Sequence, residues 1–290
     1  MAIDLKGRPI VITGASSGIG EATALQCAAA GMPVVVAARR ADRLDALVDR
    51  ITSGGGRALS ARVDVTDPAA CRDVIARAEE AFGPVHAVYA NAGYGYERAF
   101  HESSDEQVRA IFETNFWGSL NIIRPALERM IPRRGGHVLL CSSCLSKIGV
   151  PYMSAYSATK AAQDHFARGM RHELADLGIH VSTVHPVLTA TELFDEVARR
   201  SGGRRLYSHG RGLLVQSPVR VARATVRCLR KPRGEVWTSL PTRLALAAAT
   251  AFPGLADAVM RRWGIPRAAR ANANPTAEER LSNHDGLAGS

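Results

Sequence analysis

Short apolar runs recur along this chain, each separated from the next by enough residues for a helix. They span residues 9–13, 33–38, 59–65, 85–90, 137–141 and 179–185, with 235–238 as a candidate last one. Helical patterns fill the gaps: 21–30 closed by Gly31, 105–131, 154–177 and 218–230. Asp67-Pro68 supplies a helix start, with Asp as N-cap and Pro at the first helical position. Runs apolar throughout suit strands covered on both faces. Strands alternating with helices imply an α/β fold with a doubly wound parallel sheet, here of about seven strands with helices on both faces. Ligands on such sheets sit at the carboxyl ends of the strands.

The first run ends in a glycine-rich turn, Gly14-Ala-Ser16-Ser17-Gly18-Ile19-Gly20, and a helix follows. Strand, tight turn and helix hold a diphosphate at a helix N-terminus, where unpaired amides point at it. The spacing is GxxxGxG, not the GxGxxG of the commonest dinucleotide fingerprint. The second run ends in Arg39-Arg40 where an acid would select NAD. An arginine there pairs with a 2′-phosphate, so NADP (NADPH) is the expected cofactor and NAD the less favoured one.

Tyr156 and Lys160 lie four residues apart in a helical pattern and so share a face. A phenol is a poor acid or base near neutral pH, with an ordinary pKa of about 10. A neighbouring ammonium favours the phenolate and makes the pair a general acid/base candidate. Ser143 follows the fifth run, placed to orient a carbonyl or alcohol oxygen.

In order along the chain, these motifs resemble the short-chain dehydrogenase/reductase family in its classical branch, over about residues 6–240. The turn Thr13 to Gly20 is similar to the family's cofactor turn. Asp64-Val65 resembles the pair that contacts adenine, and Asn91-Ala92-Gly93 its NAG signature, with Ala90 in place of the usual preceding Asn. Ser143 stands thirteen residues before Tyr156, which is the family spacing. The resemblance implies hydride transfer between a nicotinamide and a carbonyl or secondary alcohol. Tyr156 exchanges the proton, Ser143 binds the substrate oxygen, and Lys160 lowers the Tyr156 pKa and holds the nicotinamide ribose. Asn115 anchors a proton-relay water. Pro186, Thr189 and Thr191 match the loop over the nicotinamide, but Val187 replaces the usual Gly. A β-branched residue resists positive φ. That loop must therefore keep an ordinary backbone or alter the pocket. Family members also imply a homo-oligomer, dimer or tetramer, packed through the helices bearing Asn115 and Tyr156.

With 290 residues and 46% hydrophobic content, one large domain is expected over 1–267. It includes a substrate lid at 190–216 and an apolar C-terminal helical extension at 240–264. Residues 268–290 are rich in Ala, Asn, Gly and acid, and are expected to be disordered. Tyr94, Tyr96, Leu145, Tyr152, Met153, Phe194, Leu206 and Tyr207 suggest an apolar pocket for a lipid-like small molecule. Gly202, Gly203, Gly210 and Gly212 would make the lid flexible.

No apolar run reaches the roughly 18 residues of a membrane span, and the start lacks a signal-peptide layout. Five scattered cysteines point to a reducing, cytoplasmic setting. Cys141 and Cys144 stand as CxxC without a second ligand pair, so no metal site is read from them. The net charge of +10 lies in residues 199–233, with eleven basic residues and no acid; the remaining 26 basic and 27 acidic residues nearly cancel. No recognition motif accompanies that charge, so nucleic acid is not an expected partner. Peripheral contact with an anionic membrane through 199–263 stays open. So does a non-catalytic sensor of NADP(H), although a sensor has no need of a proton relay.

Overall fold

The seven apolar runs assemble into one sheet. In a computed structural model, which describes residues 2–201 and 215–264 apart from the side chains of 193–195, 263 and 264, all neighbouring strands are parallel. The strands are β1 (Ile10–Thr13), β2 (Val34–Ala38), β3 (Ala58–Arg62), β4 (Ala87–Ala90), β5 (Gly136–Cys141), β6 (Ile179–His185) and β7 (Glu235–Trp237). Their order is β3-β2-β1-β4-β5-β6-β7, so the winding reverses between β1 and β4. The expected lid residues Gly202, Gly203, Leu206, Tyr207, Gly210 and Gly212, the Phe194 side chain and the 268–290 tail lie outside the described residues.

Side chains alternate along a strand. Ile10, Ile12, Val34, Val36, Tyr89 and Leu139 therefore face one layer, built on α1 (Gly18–Ala29), α2 (Ala41–Ser53) and the later helix Pro218–Arg230. Val11, Val35, Val88, Val138 and Leu140 face the other, built on α3 (Pro68–Phe82) and on the helices that flank the fifth strand. Asp67 caps α3 as expected, accepting from the Ala69 and Ala70 amides at 2.9 and 3.1 Å.

The expected helix over 105–131 is broken. α4 (Asp105–Phe112), opened by a Ser104–Gln107 capping box, gives way to a π turn, Glu113–Trp117, before α5 (Gly118–Met130). A π turn loosens the regular ladder and frees a carbonyl for other donors. Here the carbonyl belongs to Asn115. α6 (Ser154–Glu173) carries Tyr156 and Lys160 and ends before the expected 177, in a separate 3-10 turn. Trp117 and Phe166, on the helices expected to pack between subunits, stay 43% and 45% exposed.

Beyond β6 come α7 (Leu193–Arg200), then α8 (Pro218–Arg230), α9 (Leu240–Ala251) and α10 (Pro253–Val259). No residue of α9 or α10 is buried, and Leu240, Leu244, Phe252 and Leu255 are each more than 60% exposed. The extension therefore does not cover the core. No single helix among the described residues is long and apolar enough to cross a membrane; the bent pair of α9 with 253–262, at 114°, meets that composition only when joined.

At the opposite end of the sheet, His137 is fully buried. Its Nε2 donates to Ser182 Oγ at 2.8 Å, because the Ser182 proton goes to the Arg233 carbonyl. Burial, aided by His180, pushes His137 down to about 3, and burial with Arg8 pushes His86 down to about 4. The unfolded chain takes up protons at these residues below about pH 6.5 while the folded one refuses them. Their contribution is complete above that value and is lost as pH falls toward 4 and then 3. Urea midpoints should therefore drop between pH 7.5 and pH 5, and His137→Gln should flatten that slope even if it lowers stability outright.

Candidate active site

After β1 the chain turns through Gly14 at φ 65° and Gly18 at φ 60°, conformations that a side chain resists. A Cβ on Gly20 would lie 2.3 Å from the Gly14 carbonyl oxygen, and one on Gly14 would lie 2.8 Å from Ala92 Cα. The backbone is thus packed too closely for any other residue. The turn is clasped to the end of β4. The Thr13 hydroxyl accepts from the Asn91 and Ala92 amides at 3.0 and 3.1 Å, and the Asn91 side chain donates to the Thr13 and Gly14 carbonyls. Ile19 packs against the α1 layer, and Gly93 lies open at the cleft edge.

At the end of β2, the Arg40 guanidinium donates to Ser16 Oγ and Ser17 Oγ at 3.0 and 2.8 Å. Its remaining arm meets Glu192 at 2.9 Å, and Arg43 meets the other oxygen of that carboxylate at 3.0 Å. The Arg40 hydrogen bond holds the Glu192 carboxyl below its usual range. Arg39 stays exposed, 3.9 Å from Asp64. β3 ends earlier than expected, so Asp64 and Val65 lie on the following loop. Asp64 accepts from Thr66, and the Val65 carbonyl accepts from Asn121.

The strap after β6 crosses the cleft from Pro186. Thr189 accepts from Gln216 at 3.0 Å, and Thr191 rests against Gly18, where an added Cβ would be 3.0 Å from its methyl. Among the described residues, positive φ outside glycine occurs at Arg134 and Tyr152, so Val187 keeps an ordinary backbone. Tyr152, at φ 64°, carries local strain immediately before α6, a feature the sequence did not signal.

Tyr156, Ser143 and Lys160 converge beneath this strap. Burial pushes the Tyr156 phenol well above its ordinary value, and a hydrogen bond with the Ser143 hydroxyl offsets that only in part. The Lys160 ammonium donates to the Cys141 carbonyl at 2.7 Å and to Gln163 Oε1 at 3.0 Å, and sits 5.8 Å from the Tyr156 ring centroid. Burial lowers its pKa. The ammonium is turned toward β5 and Gln163, and burial outweighs the lowering of the phenol expected of Lys160. At Asn115, the residue expected to anchor a relay water, protein groups meet both the backbone carbonyl and the side chain. Its carbonyl accepts from Gln163 Nε2 at 2.6 Å and Ser119 Oγ at 2.7 Å, while its side chain bonds Tyr94 and Thr159.

A buried histidine and a network of charges back the Ser143 loop. His185 Nδ1 donates to the Ser143 carbonyl at 3.1 Å and stacks on Trp237. Lys147, four residues after Ser143, bridges Asp164 and Glu235. Burial pushes Glu235 up, but bonds from Trp237 and Lys147 outweigh it and bring the carboxyl down to about 2.

These parts line a cavity of about 660 Å³ that runs from Arg39, Arg40 and Asp64 to Tyr94, Leu145 and Met153. Tyr96 is buried, and neither it nor Tyr152 lines the cavity. Glu192, Glu196, Arg199 and Arg200 of the strap line it as well. Gly14, Gly18 and Gly20 leave backbone open at one end, and Ser143, Tyr156 and Lys160 stand at the other, which fits a dinucleotide.

Residues 8–202 match the family profile described as short chain dehydrogenase. The chain belongs to this family. It is an oxidoreductase that passes hydride between a nicotinamide cofactor and a carbonyl or alcohol carbon. The dehydrogenase is 28% identical over 268 residues to the ketoacyl reductase HetN of Nostoc, covering 90% of this chain and 91% of that one. It is 31% identical over 228 residues to the glycine betaine reductase ATRR of Emericella nidulans; the match spans 79% of this chain but only 18% of that longer protein. Among solved structures, a short chain dehydrogenase/reductase from Burkholderia phymatum in complex with NAD has a TM-score of 0.78 at 26% identity, covering 87% of this chain and 96% of that one.

Proposed function

We propose that the dehydrogenase is an NADP(H)-dependent reductase of an apolar, lipid-like carbonyl compound, with Tyr156 as the proton donor. The observation that carries this reading is geometric: Ser143, Tyr156 and Lys160 line one end of the cavity whose other end is formed by Gly14, Ser16, Ser17 and Gly18. A phenol that keeps its proton is an acid, as reduction requires. In the reaction, the Ser143 and Tyr156 hydroxyls both point hydrogen bonds at the substrate oxygen, and the Tyr156 Oη proton moves to that oxygen as the carbon is reduced. The bound nicotinamide supplies the hydride. Lys160 holds the ribose. Tyr94, Leu145 and Met153 give the substrate end its apolar wall, and HetN, a relative, is a ketoacyl reductase.

The NADP preference rests on Arg39, Arg40 and Arg43 after β2, where the chain has Arg39-Arg40 in place of an acid, and on the hydroxyls of Ser16 and Ser17 in the turn after β1. The Glu192 carboxylate already engages two of these guanidiniums, so a 2′-phosphate competes with it. The NAD of the Burkholderia structure belongs to that protein.

A second reading adds to the first. The exposed apolar stretch 240–262, made of α9, α10 and the turn after them, carries Arg243, Arg261 and Arg262 against the single acid Asp257, and suits an anionic membrane surface. Thr250 donates to the Lys147 carbonyl at 3.4 Å, so α9 stands beside the loop that lines the pocket. A lipid-like substrate would have a short path from such a surface.

NADPH consumption against aldehydes, ketones and 3-oxoacyl thioesters should be measurable and should fall at least about a hundredfold in Tyr156→Phe, the size of a general acid contribution. Tight NADPH binding without turnover on any of them would favour the sensor reading. Arg40→Ala should weaken NADPH far more than NADH in a fluorescence titration, and Glu192→Gln should tighten NADPH while leaving NADH unchanged. Equal effects on both cofactors would contradict the 2′-phosphate role. Full-length protein should sediment with vesicles containing phosphatidylserine more than a chain ending at 240; equal sedimentation would sink the membrane reading.

A further inference from the structure

We propose that Gln163 is a positioning residue for Lys160, and that its amide makes the connection from the ammonium to the Asn115 carbonyl that was expected of a water. The proposal rests on the oxidoreductase reading of the site.

Gln163 lies three residues after Lys160 on α6, on the same face, and is 1% exposed. Every polar atom of its side chain is engaged. Oε1 accepts from Lys160 Nζ at 3.0 Å, and Nε2 spends its two protons on the Asn115 carbonyl at 2.6 Å and Ser119 Oγ at 2.7 Å. The partners fix the amide's orientation. Turned over, it would set its NH₂ against an ammonium and its oxygen against a carbonyl. Ser119 closes the ring by donating to the same Asn115 carbonyl at 2.7 Å. The π turn, α5 and α6 thus meet at one amide.

Two consequences follow for Lys160. An ammonium has three donors. Cys141 and Gln163 take two, which leaves the third for the cleft that Lys160 lines, where a nicotinamide ribose is held. The second concerns protons. A water between Lys160 and Asn115 can pass a proton along, whereas a side-chain amide holds its place and exchanges none at neutral pH. The Gln163 amide therefore relays no proton between Lys160 and the Asn115 carbonyl.

Gln163→Leu and Gln163→Glu separate this role from packing. Ser119 still donates to the Asn115 carbonyl in both, so that group is not orphaned. Fluorescence titration with NADPH should show affinity reduced about tenfold in Gln163→Leu, the usual worth of one hydrogen bond to a charged group. Gln163→Glu sets a carboxylate beside Lys160 and favours the ammonium, so the basic limb of the pH dependence of NADPH binding should move up by about one unit. Melting temperatures identify any variant that is merely misfolded. Wild-type affinity in both variants with an unmoved basic limb would overturn the proposal. The titration needs no turnover, so a wild-type protein that binds NADPH but reduces none of the carbonyls leaves this test decisive. A wild-type protein that binds neither NADPH nor NADH would overturn the site reading and this proposal together.

Discussion

The cleft depends on one clasp. Thr13 and Asn91 lie 78 residues apart, at the carboxyl ends of β1 and β4, and bind each other through hydroxyl, amide and carbonyl groups. The winding of the sheet reverses between those strands, so the loops that follow them diverge to opposite faces. The clasp keeps the two loop stems together while the loops part. It also sets the close approach of Ala92 to Gly14, which only a glycine tolerates. Loosening this contact would widen the cradle and move Gly93 away from Asn115 and Lys160, both of which it adjoins. The nucleotide end and the chemical end of the site share this support.

Burial moves the two central groups in opposite directions. It raises the Tyr156 phenol and lowers the Lys160 ammonium, because each charged form loses solvation. Starting from ordinary values of 10.0 and 10.5, the two move apart, and no direct bond joins their polar ends. Sequence reasoning had Lys160 act through its charge to lower the phenol. The fold instead anchors Lys160 on a carbonyl and a neutral amide. Its charge is kept by hydrogen bonds and not by a carboxylate, which leaves its pKa free to fall.

The inner strands β1, β2 and β4 were legible because strands buried on both faces are apolar throughout, whereas the edge runs carry Arg62 and Glu235 and were readable from their alternation with helices. The Tyr156–Lys160 pair was legible because helical spacing is local. Ser143 and the glycine turn were readable by resemblance and by position at a strand's end. What stayed hidden depends on contacts between distant parts of the chain. Gln163 looks like any polar residue on a helix surface until α6 is packed against the π turn, 48 residues away in sequence. The π turn itself leaves no mark in the pattern over 105–131. Glu192 reaches Arg40 across 152 residues, and Lys147 reaches Glu235 across 88. The extension misled differently. Its apolar composition is compatible with a core element, and only the packed fold shows that the core is complete without it.

The loop after β5 joins these observations. Ser143 contributes its hydroxyl to Tyr156, its carbonyl is fixed by His185, and Lys147 ties the loop's far end to α6 and β7. An isolated surface ion pair contributes little, but this network is half-buried and three of its groups come from different elements. Lys147 also offers its carbonyl to Thr250 of α9. The serine is therefore held by a loop whose other end touches the exposed apolar helices. Whatever covers those helices bears on the segment that places Ser143, and the geometry of the substrate oxygen is set by a loop with one end in the core and the other at the surface.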